Sequence, residues 1–274
     1  MNQKMKQILL INDIAGYGKV ATAAMLPILS YMGHPTYNLP TALVSNTLDY
    51  GRFNILDTTD YIRGVFPVWS QLGFSFDAIA TGFIASEQQA RIVSEYCTQQ
   101  ARNGTVIFVD PIMADEGKLY NGVTADTIRS MRKMVAAAHL VFPNITEACY
   151  LTDTPYSPSV TMDEAKTILD KLRAIGTRSA LITSARVDGQ PSVVGYNHHS
   201  GSYFLLPYEE IPVHFPGTGD IFSAVLIGNL MKGVPLKTST RTAMDLVYKV
   251  IDLNKDNKDK NRGIPIERHL ELLG

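Results

Sequence analysis

Short runs of aliphatic and β-branched residues recur along the chain, each followed by a longer segment with apolar residues at helical spacing, the sequence form of repeated βαβ units. The spacing predicts strands over residues 7–11, 36–44, 78–81, 106–109, 140–142 and 180–182. Several of these runs are continuously apolar rather than alternating, as strands covered on both faces are. Crossover helices are predicted over 22–31, 87–101, 125–137 and 162–174. The last third changes character: residues 192–196 and 203–206 flank the polar stretch Asn197-His198-His199-Ser200-Gly201 and predict an antiparallel edge hairpin. Residues 221–231 predict an apolar helix. The expected fold is α/β, a mainly parallel central sheet with helices on both faces and an antiparallel edge hairpin, as one domain over 1–274.

Composition narrows the function classes. With 45% hydrophobic and 19% charged residues the chain has material for a large core. Lysine and arginine total 25 against 26 acidic residues, so no net field draws a nucleic-acid backbone or an anionic membrane, and neither is expected as a partner. Cys97 and Cys149 form neither a disulfide framework nor a C-x-x-C motif, and are expected as buried thiols. Residues 1–6 carry charge, but the apolar run that follows stops at Asn12-Asp13, too short for a signal peptide. No run approaches the ~20 residues of a membrane span, and a cytoplasmic protein is expected. The run 254–262 mixes lysine, aspartate and asparagine with alternating sign and is expected as a solvated loop without function. His198 and His199, adjacent on the hairpin turn, make poor metal-ligand geometry.

An open parallel sheet binds ligands beyond the carboxyl ends of its strands. The segments 12–18, 45–51, 81–83, 110–117, 144–147, 183–184 and 217–220 follow predicted strands and are expected to share one rim. Gly217-Thr218-Gly219-Asp220 precedes the helical run from Ile221, where backbone N–H groups suit an anion and an aspartate suits a proton acceptor. By itself the pattern also fits a helix N-cap after a glycine turn. Asn144-x-x-Glu147 offers hard oxygens for Mg²⁺, or a simple capping pattern. Asp110-Pro111, with Asp115 in the loop beyond, brings two carboxylates to a phosphate chain, or makes a strand-end turn. Thr183-Ser184 supplies hydroxyl donors.

This ordered set resembles the ribokinase superfamily, specifically its vitamin-kinase branch of pyridoxal and hydroxymethylpyrimidine kinases, over nearly the whole chain. The resemblance implies ATP and Mg²⁺ as cofactors, Asp220 as base, and Gly217, Thr218 and Gly219 as anion hole. It implies Asp110, Asp115, Asn144, Glu147, Thr183 and Ser184 at ATP and phosphate, with Mg²⁺ near Asp110, Asp115 and Glu147 through water. Residues 11–18 and 44–51 and the pair Gly82-Phe83 look like pyridoxal-kinase segments, which implies a B6 vitamer phosphorylated on its 5′-hydroxymethyl group. Asn12, Thr47, Leu48, Asp49, Phe83 and Asp220 are then the substrate contacts. Thr47-Leu48 stands where the family has His-Thr, and Phe83 where it has tyrosine, so ring recognition departs from the pattern. The rival enzyme is a hydroxymethylpyrimidine kinase; the rival class is a non-catalytic vitamin or nucleotide sensor, which has no need of Asp220. Such kinases are commonly dimers, and a homodimer is expected.

Overall fold

The computed structural model describes residues 5–120 and 123–274, so Met1–Lys4 of the charged N-terminal stretch lie outside it. Its elements in chain order are β1 (Ile8–Tyr17), α1 (Thr22–Tyr31), β2 (Thr36–Asn46), β3 (Ile55–Asp57), α2 (Thr59–Gln71), β4 (Ala78–Thr81), α3 (Glu87–Arg102), β5 (Val106–Val109), β6 (Ala114–Asp115), β7 (Lys118–Leu119), α4 (Ala125–Ala137), β8 (Leu140–Val141), α5 (Ile145–Leu151), α6 (Met162–Ile175), β9 (Ser179–Val187), β10 (Gln190–Asn197), β11 (Ser202–Pro207), α7 (Thr218–Met231) and α8 (Leu236–Asn254). Among the described residues, nine strands form a mixed, mainly parallel sheet flanked by eight helices, and β6 and β7 form a separate hairpin. The chain divides into two compact units, residues 1–80 with 210–274 and residues 81–209.

In the first unit the strands are ordered β4-β1-β2-β3. The pair β1–β2 is parallel, and β3, which has no counterpart among the predicted strands, lies antiparallel to β2. All three residues of β3 are exposed, so burial periodicity gave no sign of it. The run predicted to end at Ile11 continues to Tyr17, because the ladder to β2 carries on past Asn12 through a bulge: Asn12 pairs with Pro40 and Ile14 with Leu43, leaving Thr41 and Ala42 opposite Asp13. Helix α7 is buried from Ile221 to Gly228 and packs against α1 and α8. An all-apolar helix of that kind is a core element, as its sequence predicts.

In the second unit the order is β11-β10-β9-β8-β5, with β5–β8 and β8–β9 parallel and β9–β10–β11 antiparallel. The edge hairpin is as predicted, with His198 and His199 exposed at its turn. Strand β9 also outruns its predicted end at 182, taking in Thr183 and Ser184; Ser184 adopts φ 52 where β9 and β10 shift register. Helices α4, α5 and α6 each open with a reciprocal capping box, typically worth about 1 kcal/mol at the cap residue.

Candidate active site

In the first unit, β1 carries Asn12 and Asp13 and then turns through Gly18 to Ala21 into α1. Ala21 adopts φ 49, a conformation a non-glycine residue holds only at a cost of roughly 1–3 kcal/mol. In that conformation its N–H donates to Asp220 Oδ2 at 2.7 Å. The Asn12 side chain also hydrogen-bonds Asp220, and its Oδ1 accepts the Asp13 N–H at 3.0 Å. Burial lifts the Asp220 carboxyl from 3.8 to about 6, against the two hydrogen bonds that favour its ionised form. Asp13 is lifted further, to about 7, by burial and then by the charge of Asp220, with its own backbone N–H pulling the other way. Asp220 therefore ionises first and holds Asp13 largely protonated below neutrality, an arrangement that leaves one proton acceptor poised near working pH.

Helix α7 begins at Thr218, so Gly217 is its N-cap and Asp220 its third residue, which corrects the alternative of Asp220 as the cap itself. Gly217 has φ 84, and a Cβ there would stand 2.3 Å from the Lys19 carbonyl oxygen, so only glycine fits. Thr218, Gly219 and Asp220 occupy the first turn, where backbone N–H groups have no intrahelical acceptor and the helix dipole is positive. A Cβ on Gly219 would meet nothing within 4 Å, so the turn opens on space at that residue. These are the properties of an anion site built into a helix start.

Thr47, expected at the substrate, is 2% exposed, and its hydroxyl donates to the Asn261 carbonyl at 2.5 Å. That hydroxyl is committed to the fold. Leu48 and Asp49 are exposed on the single 3₁₀ turn Leu48–Tyr50, Asp49 lying 3.3 Å from His214. The run 254–262, expected as a solvated loop without function, supplies the carbonyl that holds Thr47.

In the second unit, Asp110 follows β5 and sits in the electrostatic field of Glu147, which is buried on α5. The two Glu147 oxygens accept the Met113 and Asn144 N–H groups at 3.0 and 2.9 Å. Burial, then the charge of Asp110, holds its carboxyl well above the usual range, with those N–H donors opposing. Asn144 Oδ1 accepts the Glu147 N–H at 2.9 Å and its Nδ2 donates to the Ala114 carbonyl at 2.8 Å. The Asn144–Glu147 pattern is thus a capping box that also ties down the loop after Asp110. Thr183 bridges to Asn144 as a neighbouring strand residue, its N–H and hydroxyl both donating to the Pro143 carbonyl, while Ser184 is exposed. Phe83 lies just past β4, partly buried.

Asp115 is exposed on β6, one oxygen accepting the Glu116 N–H at 2.8 Å. Among the described residues no three histidine, cysteine, aspartate or glutamate side chains group to hold a metal. Asp110 and Glu147 do fit a divalent cation held through water: the charge of Asp110 raises the buried Glu147 carboxyl, a repulsion that a cation relieves.

Sequence reasoning missed Asp13 and Ala21. Asp13 carries a legible signal, a carboxylate that interrupts an apolar strand run. Ala21 carries none, since its part is played by a backbone N–H.

The model of the phosphomethylpyrimidine kinase family matches residues 41–264. A Bacteroides thetaiotaomicron protein assigned to the phosphomethylpyrimidine kinases, crystallised with pyridoxal, is 35% identical, with TM-score 0.93 over 98% of this chain and 96% of that one. The structure of pyridoxal kinase from Lactobacillus plantarum is 27% identical, with TM-score 0.90 over 98% and 97% of the two chains. The pyridoxal kinase of Arabidopsis thaliana is 28% identical over 257 residues, 87% of this chain and 81% of the relative.

Proposed function

The chain belongs to the phosphomethylpyrimidine kinase family, and on that premise we propose that it is a pyridoxal kinase, moving the γ-phosphoryl of ATP to the 5′-hydroxymethyl group of pyridoxal, pyridoxine or pyridoxamine. The observation that carries the chemistry is the Asp220 carboxylate, held by the Ala21 N–H in the first turn of a helix capped by Gly217. A sensor has no use for a carboxyl lifted to about 6 beside an anion-binding turn. The substrate class rests on the pyridoxal kinases among the relatives and on the 35% identical relative crystallised with pyridoxal.

In this reading the substrate hydroxyl approaches ionised Asp220. Its oxygen bonds to the γ-phosphorus as the bond to the bridging oxygen breaks, ADP departs, and the hydroxyl proton passes to Asp220. The N–H groups from Gly217 to Gly219 face the charge that develops on the transferred group and need no reorganisation to do so. Asn12 and Asp13 line the acceptor side with Leu48 and Asp49, while Thr47 serves by holding its turn; Phe83 is a further proposed substrate contact. Asp110, Ser184 and the backbone around Thr183 meet the nucleotide phosphates, with Asn144 setting the helix start there and Asp115 at the loop edge. Asp110 and Glu147 would hold Mg²⁺ through water, and the ion would supply charge neutralisation to the phosphates.

We propose further that one domain spans 1–274 and works as a cytoplasmic homodimer. Exposed Leu43, Phe53, Ile55 and Leu56 at the β2–β3 edge support an apolar contact, and the two buried free cysteines accord with a reducing compartment. Sedimentation of the protein as a monomer at micromolar concentration would refute the dimer.

Turnover decides the activity. The protein is incubated with Mg·ATP and each of pyridoxal, pyridoxamine, pyridoxine and hydroxymethylpyrimidine, and ADP release is followed. B6 vitamers are expected to be used in preference. Folded protein that releases ADP with none of them refutes the reading, and a preference for hydroxymethylpyrimidine assigns the rival activity.

A further inference from the structure

Beyond the carbonyl that holds Thr47, residues 259–267 are tied to Lys19, which leads into α1, and to the turn Leu48–Tyr50. The Arg262 carbonyl accepts the Lys19 N–H at 2.8 Å, and Gly263 bridges to Lys19 as a parallel neighbour. Glu267 pairs with the Lys19 ammonium. Gly263 has φ 79, and a Cβ there would stand 2.8 Å from the Lys19 carbonyl oxygen and 3.1 Å from that of Pro216. Gly217 closes on the same Lys19 oxygen from the catalytic turn. The substrate-side turn is held as well. Asn261 accepts the Thr47 hydroxyl at 2.5 Å and its amide donates to the Asp49 carbonyl at 3.1 Å, while the Tyr50 hydroxyl donates to Asp259 at 2.6 Å.

We propose that residues 259–267 are a positioning element of the acceptor site, fixing the backbone at Lys19, and through it the Ala21 N–H that orients Asp220, together with the turn Leu48–Tyr50. The physical reason is that Lys19 is gripped on both sides of its backbone. Its N–H is bonded, and its C=O lies between two glycines whose missing side chains leave the only room for it. Two residues on, Ala21 is held at φ 49, which a relaxed segment would abandon. Misplacement of a reacting group by ~1 Å can lower the rate about a hundredfold, so backbone precision at this link reaches the chemistry. The inference rests on Asp220 being the base.

The test is Gly263→Ala, whose new Cβ pushes on the Lys19 carbonyl. The expected result is a fall in kcat of about tenfold or more with the KM for ATP within about twofold of wild type. The acidic limb of kcat moves to higher pH, because a weakened Ala21 N–H bond removes one of the contacts that favour ionised Asp220. Amide hydrogen exchange at Ala21 accelerates in the same variant. If Gly263→Ala does not fold, Glu267→Gln replaces it with the same readouts at smaller amplitude. A folded variant with wild-type kcat and pH profile overturns the proposal. So does a loss of kcat with neither a shifted limb nor faster exchange at Ala21. If the wild-type protein turns over no acceptor, the proposed function fails, and exchange at Ala21 alone then supports or overturns this inference.

Discussion

Asp220→Asn separates catalysis from stability in one substitution. Asparagine keeps the size of the side chain and an oxygen that can accept the Ala21 N–H now bonded at 2.7 Å, so the fold is expected to survive. The base is gone, and removal of a positioned base typically lowers turnover by about 10²–10⁴, or about 3–5 kcal/mol in the barrier. Stability moves the other way. Asp220 has a folded value of about 6 against an ordinary 3.8, so the native state holds its proton more tightly than the unfolded chain does. Its contribution to stability is full below about 3.8 and is lost as pH rises through about 6, a difference of up to about 3 kcal/mol at 1.36 kcal/mol per pH unit. The asparagine variant carries no such charge. At pH 8 it is expected to melt several degrees above wild type, at roughly 2–4 °C per kcal/mol for a chain near this size, and the gap closes towards pH 4. Scanning calorimetry at the two pH values, with ADP release at pH 8, measures both effects. Turnover near wild type, or a variant no more stable than wild type at pH 8, refutes the reasoning.

The wild-type kcat should rise with pH through about 6 as Asp220 ionises, and Asp13→Asn should leave that limb in place, because Asp13 is protonated where Asp220 titrates; a moved limb in a kcat–pH profile argues against that order of ionisation. Gly219→Ala, whose Cβ meets no protein atom within 4 Å, should melt like wild type yet lose at least about tenfold in kcat, because the methyl group takes the space of the bound anion. Gly217→Ala should instead lose both, since its Cβ would collide with the Lys19 carbonyl at 2.3 Å. Glu147→Gln removes a carboxylate that accepts two backbone N–H groups and leaves one of them facing an amide NH₂, so a loss of roughly 1–3 kcal/mol by denaturant unfolding is expected, with faster amide exchange at Met113.

Much of the fold was legible because hydrophobic periodicity reports burial. The runs 78–81 and 106–109 and the helices over 22–31 and 125–137 are where the pattern put them. Failures fell where burial gives no signal or where hydrogen bonding overrides it: β3 is wholly exposed, and β1 and β9 run on through the site residues Asn12, Asp13, Thr183 and Ser184. Among the site residues, side chains with chemistry of their own could be named in advance. Their partners could not, because an alanine N–H or a carbonyl at Asn261 looks like any other until the chain is folded.

From the sequence alone came the α/β architecture and the identity of the titratable groups, since composition and local spacing encode both. Only the tertiary structure decided what those groups do to one another. Burial lifted Asp220 and Asp13, a strained alanine aimed an N–H at the base, and residues of the C-terminal stretch 259–267 bond to Lys19 and to the turn Leu48–Tyr50. Such effects come from contacts between residues up to 248 apart in the chain, as between Lys19 and Glu267, and no local pattern carries them.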